Sequence, residues 1–210
     1  MMVGVILAAG AGARLGRGPK ALLDLVDDGE RQTQVERTVA TLRAGGCDDI
    51  VVVVGAEGQR VRDLLSPGTC RVIHNPDWEA GLASSFKAGV SVAERLLDSR
   101  PEGAIMVALI DQPDVDDRVI AHLKKAASPT KVVAAGYLDE DGEVVRGHPV
   151  VFPLAMARAA AASAHGDAGA RRWLQERPHL VEVIDVRKWA TGRDIDTPDD
   201  LRRWRDQGRP

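Results

Sequence analysis

Apolar positions in this chain fall into short blocks separated by polar stretches. Val3–Ala8, Ile50–Val54, Arg71–His74, Ala104–Ile110, Lys131–Ala135, Val150–Phe152 and Leu180–Val186 each have the length of a strand. In "IVVVVG" and "AIMVALID" the apolar run is continuous rather than alternating. A strand that is apolar at every position is covered on both faces, as in a parallel sheet held between helices. Between the blocks the spacing changes to that of helices. Val35, Val39 and Leu42 share one stripe, which stops at Gly45–Gly46. Phe86, Val90, Ala93 and Leu97 form a second stripe, and Val119, Leu123 and Ala126 a third. Ala155–Ala164 predicts a further helix, and "TPDDLRRWRDQ" opens one with a Thr cap, a first-turn Pro and two acids. The alternation predicts an α/β fold: a doubly wound, mostly parallel, Rossmann-like sheet with right-handed crossovers.

One section breaks the rhythm. "AGYLDEDGEVVRGHPVVF" reads as a hairpin turning at Asp141–Gly142, a small β excursion over about 136–153 that faces a site. The 210 residues, with no linker, repeat or low-complexity segment, predict one domain over 1–210.

Composition narrows the function. A net charge of −3 excludes the broad basic footprint of a nucleic-acid binder while leaving room for a local anion site. Two cysteines, Cys47 and Cys70, exclude a disulfide framework and read as buried free thiols. No secretory pattern opens the chain and no apolar run approaches membrane-spanning length, which predicts a cytoplasmic protein without a membrane partner.

The first block runs into "LAAGAGARLGRGPKALL". Gly10, Gly12 and Gly16 do not have dinucleotide-fingerprint spacing, because the third glycine comes one position late. Lys20 lies between Pro19 and Ala21, not in the Gly-Lys-Ser/Thr of a P-loop. The stretch still has what a polyphosphate requires. Glycines bring backbone N–H groups close to oxygens, Arg14 can fork two of them, and Lys20 adds a point charge. The alternative is a tight strand–helix turn carrying two surface cations. Asp111 ends "AIMVALI" and is expected at the carboxyl end of a central strand, where open α/β sheets bind ligands. Asp196 precedes the last helix. Two converging carboxylates suit Mg²⁺, although Asp196-Thr-Pro is also a good helix start.

The motifs taken together resemble a family. "LAAGAGARLGRGPK" is similar to the L-A-[AG]-G-x-x-x-R-[ML]-G-x-x-K signature of the MobA-like nucleotidyltransferases, with Arg17, Gly18 and Pro19 where the family has two residues. "NPDWEAGLASSF" resembles N-P-x-W-x-x-G-M-x-S-S-L, with Leu82 and Phe86 in place of Met and Leu. "ALIDQPDV", "GHPVVF", "GDAGAR" and "DIDTPDDL" are similar to the remaining motifs, in order, and the whole most resembles the molybdenum cofactor cytidylyltransferase branch.

The resemblance implies an Mg²⁺-dependent transfer of a nucleoside monophosphate from an NTP to a phosphorylated acceptor such as a molybdopterin-type (pterin) cofactor, with release of pyrophosphate. A molybdoenzyme receiving the product is an implied partner. The Leu7-Ala8-Ala9-Gly10 opening favours CTP over GTP. By the same resemblance, Leu7 to Gly10, Gly12, Arg14 and Lys20 hold the nucleotide, with Arg14, Lys20 and Asp111 catalytic and Asp111 and Asp196 the Mg²⁺ ligands. Asn75, Gly81, Ser84 and Ser85 contact ribose or base, unless Ser84 simply caps its helix. Trp78 stacks on a ring or packs at an interface, and Lys87 meets a phosphate or is solvated. His148, Asp167 and Arg171 bind the acceptor; otherwise His148 is structural and Arg171 pairs with Asp167 on a helix surface. Two other activities belong to the same resemblance: NAD(P)H-dependent reduction of a quinone-like pigment, and accessory binding of a cofactor for molybdoenzymes.

Overall fold

A computed structural model describes residues 1–27, 30–98, 100–139 and 141–207. The strands are β1 (Met2–Ala8), β2 (Asp24–Asp27), β3 (Glu30–Thr33), β4 (Asp49–Val54), β5 (Arg71–His74), β6 (Ala104–Leu109), β7 (Val132–Leu138), β8 (Val144–Pro153) and β9 (Val181–Asp185). The helices are α1 (Gln34–Ala44), α2 (Gly58–Leu64), α3 (Leu82–Leu96), α4 (Asp117–Ala126), α5 (Leu154–Ser163), α6 (Arg171–Gln175) and α7 (Pro198–Gln207).

Seven strands form one sheet in the order β5-β4-β1-β6-β8-β7-β9. β1 pairs in parallel with β4 and β6, β4 with β5, and β7 with β9, while β8 alone runs antiparallel between β6 and β7. The continuous apolar runs have the expected cause. Ile6, Ala8, Val52 and Val54 face one core with α1, α2 and α4, and Val3, Val5, Leu7, Val51 and Val53 face a second core with α3, α5 and α6. Alternate residues point to opposite faces of a sheet, so both faces must be apolar when both are covered.

The hairpin over 136–153 is not an appendage. Its second arm is β8, which pairs with β6 from Val107↔Val150 to Ala104↔Pro153. Its other end continues past β6 as a two-stranded ribbon of Gly136–Leu138 and Val144–Arg146. The β2–β3 ribbon has no counterpart in the apolar pattern because most of its residues are polar. Cys47 is buried, whereas Cys70 is only half-buried; both are free thiols, and burial pushes the Cys47 thiol up to about 12. Among the described residues, no helix is long and apolar enough to cross a membrane.

A third, smaller cluster explains the placement of the site. Leu15, Leu23, Leu25, Ile195 and Leu201 are buried together, with Trp204 packed against them. Leu15 lies in the glycine-rich loop and Ile195 lies between two aspartates near the start of α7. Burying these apolar side chains, at about 1.5–3 kcal/mol for each fully buried Leu or Ile, brings two segments far apart in sequence to one place.

Candidate functional site

The glycine-rich loop leaves the carboxyl end of β1. Gly12 has φ +66°, and a Cβ there would lie 2.1 Å from the Gly18 carbonyl oxygen. The Leu15 and Gly16 amides donate to the Gly12 carbonyl at 3.0 and 3.2 Å, so the turn's own bonds begin after the amides of residues 10–14. Gly18, in the three-residue stretch before Lys20, has φ +79°, and Lys20 is carried inward at the start of a short 3-10 turn.

Asp111 emerges just past the carboxyl end of β6, beside β1. The Ile195 amide donates to the Asp111 carbonyl at 2.8 Å, which sets the "DIDTP" segment alongside it. Lys20 then reaches both acids: its Nζ is 3.0 Å from Asp111 Oδ2 and also contacts Asp196 Oδ1. Arg14 approaches Asp196 Oδ2 at 3.0 Å from the solvent side. The four residues therefore meet at one point. Asp196 is not the cap of α7. Thr197 and Asp200 cap each other reciprocally, with Thr197 N–H donating to Asp200 at 2.8 Å and Asp200 N–H to Thr197 Oγ1 at 3.2 Å. That leaves the Asp196 carboxylate to the cations.

Burial lowers the Lys20 pKa, but Asp111 and Asp196 outweigh it and the net shift is upward. Asp111 Oδ1 is buried and has no hydrogen-bond partner among the described residues. Asp194 is a third carboxylate at the site, which the sequence reading missed. Burial and then the charge of Asp111 push it up to about 6. Its place in "DID", two residues from Asp196, was the available signal, since alternate residues of an extended segment share a side.

Beyond Asp194 opens a cavity of about 390 Å³. Leu7, Phe86, Leu109 and Phe152 give it apolar surface, Arg146, Arg171 and Arg193 give it cationic groups, and His148 lines it as well. Arg146 was also missed, although it stands two positions before His148 on the same strand and so on the same face. Burial and the neighbouring Arg171 lower the Arg146 pKa. Burial, Arg146 and Arg171 lower His148 to about 4, so its imidazole is neutral at neutral pH. The His148 carbonyl accepts from Tyr137 Oη at 2.6 Å, and the Tyr137 ring lies against Gly147 and Gly192, joining the hairpin to the loop before Asp194. Among the described residues Arg171 makes no ion pair with Asp167; the Asp167 carboxylate instead lies against Gly81 at the start of α3.

The other motif residues are occupied with one another. Asn75 Nδ2 donates to Ser84 Oγ at 2.8 Å and Ser85 Oγ at 3.0 Å, and Asn75 Oδ1 accepts from the Asp77 amide at 3.1 Å. Ser84 Oγ reaches the Asp77 and Gly81 carbonyls at 2.8 and 2.9 Å. The N-cap of α3 is Gly81, so Ser84 fastens the turn rather than capping the helix with its side chain. Trp78 is packed over Gly55 near the Ala9 carbonyl, and Lys87 is exposed.

Two expected outcomes follow from this geometry. Gly12→Ala places a methyl group against backbone at a positive φ, so a fall in melting temperature is expected. Gly10→Ala, whose Cβ meets nothing within 4 Å, should keep the parent melting temperature; calorimetry measures both. His148 binds a proton in the unfolded chain near pH 6.5 but in the folded chain only near 4. Stability therefore falls as pH drops from about 6.5 towards 4, by about 1–2 kcal/mol between pH 7 and 5. Urea midpoints at the two pH values should show this loss reduced in His148→Gln.

Residues 4–182 match the MobA-like NTP transferase domain. The nicotine blue oxidoreductase of Paenarthrobacter nicotinovorans is 39% identical over 96% of this chain and 95% of its own length. The crystal structure of Rv0371c from Mycobacterium tuberculosis H37Rv superposes with TM-score 0.80 at 29% identity, covering 98% of this chain and 97% of that one. A manganese complex of Rv0371c superposes with TM-score 0.75 at 26% identity, covering 99% of each chain. A domain match across most of the chain, on a parallel sheet whose glycine-rich loop meets two acids from distant segments, makes this protein a member of the MobA-like NTP transferase family.

Proposed function

We propose that the protein transfers a nucleoside monophosphate, CMP in preference to GMP, from an NTP to a phosphorylated acceptor with a ring system such as a pterin. The observation that carries this reading is Lys20 held between Asp111 and Asp196 at the mouth of the glycine-rich loop, beside a cavity containing Arg146, His148 and Arg171. Amides of the segment from Leu7 to Gly12, with Arg14 and Lys20, would receive the triphosphate. Among the described residues no group of three or more His, Cys, Asp or Glu side chains is placed to hold a metal ion, so a divalent cation here would need phosphate oxygens beside the protein's own ligands. Two carboxylates, Asp111 and Asp196, meet at the half-buried Lys20 ammonium, and Asp111 Oδ1 lacks a partner among the described residues, which fits that shared arrangement. Asp111 and Asp196 are the groups to hold Mg²⁺; that Rv0371c forms a complex with manganese supports a divalent cation on this fold. Bound there, the ion would supply charge neutralisation at the phosphates.

Displacement at the α phosphorus demands positioning and charge more than acid–base chemistry. An acceptor phosphate oxygen is already ionised. It forms the new P–O bond as the bond to the β phosphate breaks, and pyrophosphate leaves with its electron pair. Arg14 and Lys20 stand where leaving-group charge would collect. Arg146 and Arg171 can orient the acceptor phosphate, and the apolar wall of the cavity can take its ring. Asp167, packed at Gly81, would act on the acceptor through the turn it braces. Asn75, Ser84 and Ser85 would support the nucleotide side in the same way.

Identity to an oxidoreductase over nearly the whole chain supports a second reading, reduction of a quinone-like pigment bound in the same cavity with NAD(P)H as donor. Hydride transfer makes no use of a cation pair on Asp111 and Asp196, and the loop lacks dinucleotide-fingerprint spacing. Incubation with each NTP, Mg²⁺ and phosphorylated acceptors, following pyrophosphate, tests the first reading. Thermal shifts separate the two, since a ligand at 100 times its Kd stabilises by about 2.7 kcal/mol. A shift with NADPH and none with any NTP–Mg²⁺ would reverse the order.

A further inference from the structure

Arg37 is a charged side chain inside the core, 5% exposed, one turn into α1. The helix start is fixed by the Glu36 carboxylate, which accepts the Thr33 N–H at 2.9 Å. From there Arg37 Nε donates to the Pro113 carbonyl at 3.1 Å, two residues beyond Asp111. The guanidinium carbon lies 5.9 Å from the centroid of the Trp204 ring, on the helix that opens two residues beyond Asp196. One buried side chain thus touches both segments that deliver the site's acids.

Stability alone is a poor reason to keep a guanidinium there. An apolar residue of similar volume often packs as well in such a place without the cost of desolvating a charge. What the planar fork adds is reach in two directions: it donates in its plane to one segment while its cationic carbon lies within cation–π distance of an aromatic ring on the other. Lysine has a single ammonium point and cannot do both.

We propose that Arg37 is a positioning residue that sets the separation of the Asp111 and Asp196 carboxylates, and through it the grip on a divalent cation. The proposal rests on the reading of those two acids as the cation's ligands. Other ties join the same segments directly: the Ile195 amide to the Asp111 carbonyl, Gln112 Nε2 to the Gly192 carbonyl at 3.2 Å, the Thr191 amide to Asp114 Oδ2 at 2.6 Å, and the Leu15–Ile195 cluster. Arg37 holds them from behind.

Mn²⁺ alone is the probe, titrated into the nucleotide-free protein and followed by loss of its free-ion EPR signal. Arg37→Met is expected to weaken Mn²⁺ binding by about 10–100-fold, the usual effect of losing a group that orients a metal ligand. Arg37→Lys is expected to recover little of it. In turnover, kcat should fall about tenfold or more while KM for the NTP stays within about twofold, a split that general loosening of the fold would not give. Trp204→Leu removes the ring side of the link without touching the guanidinium and should weaken Mn²⁺ in the same direction; it decides the matter if Arg37→Met fails to fold. Unchanged Mn²⁺ affinity in folded variants, with binding intact in the parent, overturns the role of Arg37 alone. A parent protein that takes up no Mn²⁺ overturns the cation reading and this proposal together.

Discussion

Asp111→Asn is expected to lower nucleotidyl transfer by at least about 10²–10³-fold while leaving the fold intact. Removing one preorganised charge contact at a reacting centre usually costs about 2.7–4 kcal/mol of transition-state stabilisation. Asp111 is such a contact twice over. It holds the Lys20 ammonium at 3.0 Å, and its other oxygen is buried without a partner among the described residues. Asparagine keeps the shape and the main-chain carbonyl that receives the Ile195 amide, so the 191–196 segment should stay in place. The loss should therefore appear in kcat and in the Mg²⁺ concentration needed for half-maximal rate, with circular dichroism unchanged. Near-parental transfer by a folded Asp111→Asn protein would remove the cation from this position.

The sheet could be read from the sequence because its strands are covered on both faces. That requirement writes unbroken apolar runs at 50–54 and 104–109, and the helices between them follow from stripes such as Val35-Val39-Leu42. The β2–β3 ribbon could not be read the same way, since strands made mostly of polar residues carry no such pattern. Within the site, the residues that announce themselves are those whose backbone setting is unusual: a glycine-rich turn, and an acid ending a buried strand. Arg146, Asp194 and Arg37 carry no local mark of that kind. Each matters because of what it faces across the fold, and only the i, i+2 relation to His148 and Asp196 hinted at the first two. The Asn75–Ser84–Ser85 group shows the converse. Its motif is plain in the chain, and in the structure its side chains fasten a turn by bonding to one another.

Lys20→Met should be as damaging to turnover as Asp111→Asn, and its effect on the resting protein should have the opposite sign to that of losing an ordinary exposed lysine. Lys20 is mostly buried and contacts both Asp111 and Asp196, with Asp194 nearby. Without it, Asp111 and Asp196 lose the cation that they share, and Asp196 keeps its ion pair with the exposed Arg14. Repulsion from Asp111 and Asp196, no longer offset by the ammonium, then adds to what already holds the Asp194 carboxyl above the unfolded value near 4. A carboxyl raised in this way binds more protons folded than unfolded, so the stability of the variant should fall as pH rises from about 4 through its raised pKa. Asp194, already at about 6 with Lys20 present, should move further up. Added Mg²⁺ should offset the repulsion, so its thermal shift on the nucleotide-free protein should be larger for Lys20→Met than for the parent, where the ammonium competes for the same oxygens. Turnover should fall by about 10²–10³-fold even when Mg²⁺ saturates if, as proposed above, the ammonium also contacts the phosphates. A smaller Mg²⁺ shift in Lys20→Met than in the parent would mean that the ammonium and the ion do not share these carboxylates.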